Sequence, residues 1–308
     1  MTRTVFMGTP DFAVPSLQAL LDDPAYDVVG VVTQPDREAG RGRKLQASPV
    51  KETALAAGTP IMQPDKLREP TAFAALAGLE PELIVVAAYG QILRPNVLAL
   101  PRYGCINVHA SLLPRWRGAS PIAAALVAGD ETSGCTIMRM DEGMDTGPIL
   151  AHSSLAIQPD DTMGSLSERL ARQGAELLLA TLPGYLAGEV TPRPQPQNGV
   201  TVCRPLRKDQ ARIDWTQPAA QIERMVRAYD PWPGAFTTWR GEPLKIGRAR
   251  VVAGNAAPGR VVRWQGGVAV GTGDGLLVIE ALQLAGKKMM GVVDFLAGRP
   301  EFVGAGLG

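Results

Sequence analysis

The stretch YDVVGVVT, residues 26–33, decides the class of fold. It is rich in β-branched residues and almost continuously hydrophobic, which is typical of a strand buried on both faces of a parallel sheet. A similar run, ELIVVAA, occupies residues 82–88, and RTVFMG at residues 3–8 precedes a helical pattern at residues 15–21. Buried strands that alternate with helices predict an α/β domain with a Rossmann-like, mostly parallel sheet.

Outward from these strands the same alternation continues. The spacing of apolar residues predicts strands at 104–109, 135–140 and 149–157, and helices at 49–57, 66–76, 121–128 and 162–186. The first strand ends in GTPDF at residues 8–12, which lacks the G-x-G-x-x-G spacing that lets a backbone approach a pyrophosphate. The sequence therefore argues against a bound dinucleotide.

A change of composition divides the chain. The segment TPRPQPQNG, residues 191–199, has proline at alternating positions and almost no apolar content, as in an extended linker. Beyond a helical pattern at 218–228, short β-like runs separated by glycine occur at 235–239, 243–246, 260–264, 268–271 and 276–284. We therefore predict an α/β domain at residues 1–189, a linker at 190–207 and a small C-terminal β-barrel at 208–308.

The overall composition indicates a soluble protein of the cytoplasm. Of the 308 residues, 45% are hydrophobic and 20% charged, and no stretch is apolar for long enough to span a bilayer. The three cysteines form no C-x-x-C pair, and the N-terminus resembles no secretory or organellar signal. Residues 201–308 carry an excess of six positive charges, which favours an anionic partner, although a solvated surface would explain it equally.

The stretch CINVHASLLP, residues 105–114, is the strongest candidate for chemistry. It places Asn107, His109 and Ser111 on alternate residues, so on a strand all three would face one way. The amide can donate to an oxyanion, and the imidazole can move a proton if a carboxylate such as Asp145 orients it. Because sites of open α/β sheets lie beyond the carboxyl ends of strands, we expect Tyr89, His109 and Asp145 to converge there. Asn107, His109 and Asp145 together suit acyl-type transfer through a tetrahedral intermediate.

Other chemistries are less well supported by the sequence. Ser111 has no G-x-S-x-G elbow, and no cysteine lies in the context of a nucleophile. The two histidines, His109 and His152, lie in separate segments without the spacing of a zinc site. We therefore expect direct transfer, without a covalent intermediate or a metal.

The segment QPDREAGRGRKLQAS, residues 34–48, is polar, glycine-bearing and basic, and it predicts a mobile loop. Two interpretations are open. It is either a solvated charged loop or a basic loop that orders on phosphate, where arginine binds bidentately.

Longer motifs carry a family resemblance. The segments HASLLPRWRGASPI at residues 109–122 and MDEGMDTGP at 140–148 resemble the signature of the 10-formyltetrahydrofolate-dependent formyltransferases. Six shorter matches extend along nearly the whole chain and resemble the members of that family that act on methionyl-tRNA: GTPDF at 8, QPDREAGRGRKL at 34, AYGQIL at 88, ARIDW at 211, DPWPGA at 230 and AGKKM at 285.

The resemblance implies roles for individual residues and an OB-like C-terminal barrel. Its catalytic trio falls on Asn107, His109 and Asp145, with no metal. Its folate-binding positions fall on Ile92, Leu93, Ser111, Leu112, Leu113, Pro114, Met140, Asp141, Glu142, Gly143 and Met144. Its tRNA-binding positions fall on Arg41, Gly42, Arg43 and Lys44 in the basic loop, and on Arg207, Lys208, Lys245, Arg248, Lys287 and Lys288 in the C-terminal part. Arg43 stands where lysine is common in relatives, which changes the donor geometry.

Three classes of function follow. The first is formyl transfer to initiator methionyl-tRNA by a monomeric enzyme. The second is formyl transfer to a small amine, such as a nucleotide sugar or glycinamide ribonucleotide. The third, a tRNA-binding module without catalysis, is disfavoured by the complete trio. The basic loop at residues 34–48 and the positive charge of residues 201–308 favour methionyl-tRNA over a small amine as the acceptor, because a small acceptor would not need them.

Overall fold

The computed structural model describes residues 1–39 and 44–308, which form two compact units. The first unit comprises Met1–Pro121, Thr132–Ala156 and Ser167–Arg204. The second comprises Ile122–Glu131, Ile157–Leu166 and Pro205–Gly308. Each unit is therefore assembled from three separate stretches of chain.

The elements up to residue 203 include the strands and helices that the apolar runs predict, together with several short additional strands. In chain order they are β1 (Thr2–Gly8), α1 (Val14–Asp22), β2 (Tyr26–Val32), β3 (Arg37–Ala39), β4 (Lys44–Gln46), α2 (Pro49–Ala56), β5 (Ile61–Met62), α3 (Pro70–Ala77), β6 (Leu83–Ala87), α4 (Pro95–Leu98), β7 (Cys105–His109), β8 (Arg117–Gly118), α5 (Pro121–Ala128), β9 (Thr132–Arg139), β10 (Ile149–Ala156), α6 (Met163–Leu186) and β11 (Val202–Cys203).

The first unit is organised on a seven-stranded sheet with the order β10-β9-β7-β6-β1-β2-β5. The strands from β7 to β5 run parallel to one another, whereas β9 is antiparallel to β7 and β10 to β9. Every residue of β6 and of β7 is buried, because helices cover both faces of a parallel sheet. The mostly parallel, Rossmann-like sheet predicted from the sequence is confirmed.

Helix α2 of this unit begins as its sequence suggests. Ser48 caps α2 through its hydroxyl, which accepts from the Lys51 amide, and proline occupies the first turn, where no amide is needed. The longest helix, α6, has 24 residues, but its charged residues interrupt any apolar run. Within the described residues no helix has both the length and the apolar character required to cross a membrane.

The basic segment at residues 34–48 contains more regular structure than a loop. β3 and β4 pair as antiparallel strands, and beside them Asp36 accepts hydrogen bonds from Lys51 Nζ and Gln63 Nε2, both at 2.7 Å. The ammonium of Lys51 is the main reason why the pKa of Asp36 lies below its usual range. The start of the segment is thus attached to the first unit through Asp36.

The second unit is built on a curved antiparallel sheet. Its remaining elements are α7 (Ala219–Ala228), β12 (Phe236–Trp239), β13 (Glu242–Val252), β14 (Val261–Trp264), β15 (Gly267–Gly271), β16 (Leu276–Leu284), β17 (Met290–Gly291) and α8 (Val292–Ala297). The strand order is β12-β13-β16-β15-β14, with β17 beside β16. The predicted mostly-β C-terminal domain is confirmed as a half-barrel, with β13 longer than its sequence pattern suggests.

The core of the second unit contains a cluster of three aromatic rings. Trp239, Phe295 and Phe302 meet edge to face with ring centroids 5.1 to 5.6 Å apart. Such contacts add to the apolar area that each ring buries. They hold α8 against the sheet and give this unit a core of its own.

Candidate functional site

The candidate site is built on β7, between β6 and β9. Asn107 lies opposite Val86 on one side and Met138 on the other, and His109 lies opposite Thr136. Because Asn107 and His109 are two residues apart on one strand, their side chains share a face of the sheet. Both are buried, but neither is sealed off completely.

The imidazole of His109 contacts two acceptors. Its Nδ1 lies 3.7 Å from Asp145 Oδ1, and its Nε2 lies 3.1 Å from the carbonyl oxygen of Trp116. The side chain of His109 is 6% exposed and that of Asp145 is 17% exposed. A carboxylate at this distance can orient the imidazole, as proton transfer by a histidine requires. The histidine and the aspartate predicted from the sequence are therefore neighbours.

Asp145 reaches His109 by a route that differs from the expected one. β9 is antiparallel to β7, and its last residue, Arg139, pairs with Ile106. Asp145 follows the carboxyl end of β9, as expected, but this end lies beside the first half of β7 and not beside the carboxyl end of β7. Tyr89 does follow the carboxyl end of β6, but its ring lies in an apolar cluster, where burial raises its pKa to about 12.

The position of the Asp145 carboxylate depends on the backbone conformation of Asp145 and on a hydrogen bond from Gly118. Its backbone has φ of 53°, in the left-handed region, which aspartate adopts more readily than most residues. Its Oδ2 accepts a hydrogen bond of 2.7 Å from the amide of Gly118. Gly118 itself has φ of 115°, and a Cβ there would lie 2.1 Å from the carbonyl oxygen of Cys203. Only glycine allows this approach.

The turn after β7 carries the positions that the resemblance assigns to folate. β7 ends at His109, so Ser111 lies in the turn rather than on the strand face, and its hydroxyl donates to the carbonyl of Arg115 at 2.6 Å. Thr136 closes the turn: its hydroxyl donates to the Ser111 carbonyl at 2.6 Å and accepts from the Leu113 amide at 3.1 Å. The Leu113–Pro114 peptide is cis.

The other predicted folate positions lie in two places. Ile92 is 84% exposed, whereas the neighbouring Leu93 is buried in the apolar cluster beside the sheet. Met140 packs partly against that cluster, and the residues after it form an exposed turn. In this turn Asp141 Oδ1 accepts from the Gly143 amide at 3.0 Å and from the Thr146 hydroxyl at 2.6 Å. Exposed members of the turn are Asp141, Glu142, Gly143 and Met144.

The segment predicted as a linker contributes side chains that the sequence did not single out. β11 pairs in parallel with β8, and the Thr201 hydroxyl accepts from the Trp116 amide at 2.8 Å. Gln195 is buried and donates to the carbonyls of Asp145 and Gly147, each at 2.8 Å. A single apolar-poor, proline-rich segment thus contacts both loops that surround His109.

The basic residues predicted to contact tRNA fall into three groups. Arg41, Gly42 and Arg43 lie outside the described residues, and Lys44 begins β4. Arg207 and Arg248 form ion pairs with Asp209 and Glu280, and Lys245 Nζ donates to the Pro233 carbonyl at 3.2 Å. The remaining three, Lys208, Lys287 and Lys288, are exposed on the second unit.

The thiols are buried. Burial raises the pKa of Cys105 and Cys135 to about 12, and it raises the pKa of Cys203 as well. Such thiols are poor nucleophiles at neutral pH because the thiolate is the reactive form. Among residues 1–39 and 44–308, no group of three or more His, Cys, Asp and Glu side chains is arranged to hold a metal ion.

Comparison with known proteins gives the same family from both units. The formyl transferase family model matches residues 2–182, and the model of the formyl transferase C-terminal domain matches residues 205–300. A methionyl-tRNA formyltransferase of Roseiflexus sp. is 51% identical over 96% of this chain and 92% of its own length. The one from Magnetococcus marinus is 50% identical over 99% of this chain and 98% of its own.

The fold has solved counterparts at much lower identity. An N-formyltransferase from Helicobacter canadensis, solved with folinic acid and dTDP-3-aminofucose, matches with a TM-score of 0.68 at 16% identity, over 91% of this chain and 98% of that one. This likeness concerns the fold alone, whereas the two relatives share half of their residues with nearly the whole chain. With both family models and these relatives in agreement, the chain belongs to the methionyl-tRNA formyltransferase family.

Proposed function

We propose that this enzyme transfers the formyl group of 10-formyltetrahydrofolate to the α-amino group of initiator methionyl-tRNA, and that Asn107, His109 and Asp145 carry the reaction. The observation that supports these roles is the 3.7 Å approach of His109 Nδ1 to Asp145 Oδ1 on the face of the sheet that also holds Asn107. Family membership supports the reaction, and the folate bound to the Helicobacter canadensis neighbour supports the donor.

The chemistry requires a neutral amine to attack the formyl carbon, after which the bond from that carbon to N10 of the folate breaks. Asn107 donates an amide N–H to the oxyanion of the tetrahedral intermediate. His109 accepts the proton that the amine nitrogen loses and delivers it to N10, while Asp145 stabilises the transient imidazolium. The products are the formylated amine and tetrahydrofolate, so atoms and charges balance without a covalent bond to the enzyme.

The folate would bind against the turn that follows β7 and the turn that follows β9. Both turns are ordered by hydrogen bonds of their own, from Thr136 in the first and Asp141 in the second. Ordered backbone groups can recognise the edge of a pterin ring without further ordering cost. The exposed side chain of Ile92 and the partly buried Met140 offer apolar surface to the ring system.

The tRNA would be held by basic residues on both sides of the predicted boundary. In this proposal residues 1–189 form the catalytic domain, residues 208–308 bind tRNA, and residues 190–207 connect them. The exposed ammonium groups of Lys208, Lys287 and Lys288 are suited to backbone phosphates, which position RNA without reading its sequence.

Three free, buried thiols support a reducing, cytoplasmic location, and we propose that the enzyme acts as a monomer.

The decisive experiment offers labelled 10-formyltetrahydrofolate to methionyl-tRNA, to free methionine and to a small amino-sugar nucleotide, with the acceptors at equal concentration. We expect label only on methionyl-tRNA. Equal labelling of free methionine would overturn the tRNA assignment. Preferential labelling of the amino sugar would favour the small-amine alternative that the Helicobacter canadensis neighbour represents.

A further inference from the structure

Gln195 stands out from its surroundings by its burial. It is 6% exposed, whereas the residues on both sides of it, Pro194 and Pro196, are exposed, as is Gln197. A glutamine buried in an otherwise exposed segment must have its amide satisfied, since an unpaired buried amide is costly. Its partners therefore indicate what the burial achieves.

The carboxamide of Gln195 uses both donors and both acceptor positions. Nε2 donates to the carbonyl oxygens of Asp145 and Gly147, each at 2.8 Å. Oε1 accepts from Nε and Nη2 of Arg117, at 3.0 and 2.8 Å. A glutamine has two N–H donors and two lone pairs on oxygen, so all four are engaged. One side chain thus joins the Asp145 turn to the loop that contains Arg117.

These contacts close a ring around the carboxylate of Asp145. The Asp145 carbonyl is held by Gln195, Gln195 holds Arg117, and the next residue, Gly118, donates its amide to Asp145 Oδ2 at 2.7 Å. The same loop presents the Trp116 carbonyl to His109 Nε2 at 3.1 Å. Asp145 lies in the left-handed region, and such a conformation persists only when its surroundings impose it.

We propose that Gln195 is a positioning residue for formyl transfer: through the Asp145–Gly147 turn and Arg117, it sets the direction of the Asp145 carboxylate toward His109. It contacts neither reacting group itself. The inference rests on the proposed role of Asp145, because a residue that positions Asp145 matters for catalysis only if Asp145 does. A displacement of about 1 Å in a catalytic group can cost about 100-fold in rate.

The test uses the full-length enzyme and three variants of the segment. Gln195→Met removes all four hydrogen bonds. Gln195→Glu keeps the two acceptor contacts to Arg117 but cannot donate to the Asp145 and Gly147 carbonyls. Gln197→Met makes the same chemical change as the first variant, two residues away at an exposed position. Each is combined with Asp145→Asn, which keeps the shape of the side chain and tolerates the left-handed backbone.

We expect Gln195→Met and Gln195→Glu to lower kcat about 10- to 100-fold with KM for both substrates changed less than about twofold, and Gln197→Met to have no effect. In the Asp145→Asn background, adding Gln195→Glu should lower kcat less than twofold further, because residues that act through one another are not additive. Wild-type kcat in both Gln195 variants would overturn the inference. Wild-type kcat in Asp145→Asn alone would instead overturn the proposed function.

A spectroscopic measurement decides the case even where residual rates are too low to compare. The chain contains two histidines, of which His152 is exposed on β10. We expect the ring ¹⁵N signals of His109 to shift in Gln195→Glu while those of His152 stay in place. Unchanged His109 signals together with lowered kcat would show a purely structural effect and would contradict the positioning role.

Discussion

Asp145 combines an uncommon backbone conformation with a side chain that lies near a histidine. It is a non-glycine residue with φ of 53°, and its side chain faces a histidine at 3.7 Å. Residues held in such sparsely populated conformations cost roughly 1–3 kcal/mol and tend to occur where the conformation serves a function. Here the unusual backbone lets the carboxylate and the carbonyl of one residue be held by different partners, Gly118 and Gln195.

Gly118 is the residue at which this arrangement should be most sensitive to a single methyl group. Gly118→Ala would place a Cβ 2.1 Å from the Cys203 carbonyl at a φ of 115°, so β8 and β11 would have to separate. We expect a loss of about 3 kcal/mol in the free energy of unfolding, measured by urea denaturation, and a loss of at least 10-fold in kcat.

The matched control for that substitution is Gly188→Ala. Gly188 also has positive φ, 80°, but no atom lies within 4 Å of the position that an alanine methyl group would take there. This variant should lose only about 1 kcal/mol, from backbone strain, and keep its kcat. Equal effects of the two substitutions would show that strain, and not the approach to Cys203, determines the result.

At the scale of elements, the turn after β7 depends on the neighbouring strand β9. Thr136 has no exposure and provides two of the hydrogen bonds that order the turn. Thr136→Val keeps the shape but leaves the Ser111 carbonyl and the Leu113 amide without that partner. We expect a loss of about 2–4 kcal/mol in the free energy of unfolding and a raised KM for the folate donor.

Thr132→Val is the control for this change. Thr132 is the exposed first residue of the same strand, so the substitution should alter stability by less than about 0.5 kcal/mol and leave the KM for the donor unchanged. If Thr136→Val left that KM unchanged too, the turn after β7 would not belong to the folate site.

The two adjoining strands β7 and β9 also give the protein a characteristic response to alkaline pH. Cys105 and Cys135 have pKa values raised by burial from 9.0 to about 12, so above pH 9 they ionise in the unfolded chain but keep their protons in the folded one. The stability they contribute is therefore complete below pH 9 and declines as pH rises toward 12. Each thiol steepens the decline by up to about 1.4 kcal/mol per pH unit.

Denaturation in urea between pH 7 and pH 10.5, followed by circular dichroism, measures this decline. The double variant Cys105→Ala, Cys135→Ala should show a flatter dependence above pH 9 and the same dependence as the wild type between pH 7 and pH 8. An unchanged slope above pH 9 would mean that these thiols are not protected in the folded state.

The sequence predicted the strands of the sheet better than the contacts made by the loops. The apolar runs in β2 and β6 were sufficient to predict the parallel sheet, because a continuously apolar strand is typically buried on both faces of such a sheet. The direction of β9 was not readable, since it depends on pairing with β7, about 30 residues away, and not on local pattern. Gln195 was missed for a similar reason: among prolines it reads as linker, and its partners are 48 to 78 residues distant. The only local signal for Gln195 was its long amide side chain between two prolines.

At the scale of the whole molecule, the basic residues of the second unit should govern the response to salt. We expect the triple variant Lys208→Ala, Lys287→Ala, Lys288→Ala to raise KM for methionyl-tRNA. It should also flatten the plot of log kcat/KM against log salt by about 0.7–0.9 for each phosphate that is no longer neutralised. The KM for the folate donor should not change, because none of the three substitutions lies in the first unit.

A control with the same loss of charge separates direct phosphate binding from general attraction. Lys66, Arg68 and Arg94 are exposed on the first unit and are not predicted to bind tRNA. Their replacement by alanine should leave the salt dependence within error of the wild type. If both triple variants flattened the plot equally, net charge and not specific phosphate binding would account for the effect.

The hydrogen bond between Gln195 and the Asp145 carbonyl, which spans 50 residues of sequence, also sets a time for the enzyme's maturation. During synthesis at about 5–20 residues per second, Asp145 is added to the chain roughly 3–10 s before its partner. Until then the turn that contains Asp145 lacks one of its hydrogen-bond partners. A newly made chain should therefore reach its full rate of formyl transfer only after Gln195 has been translated.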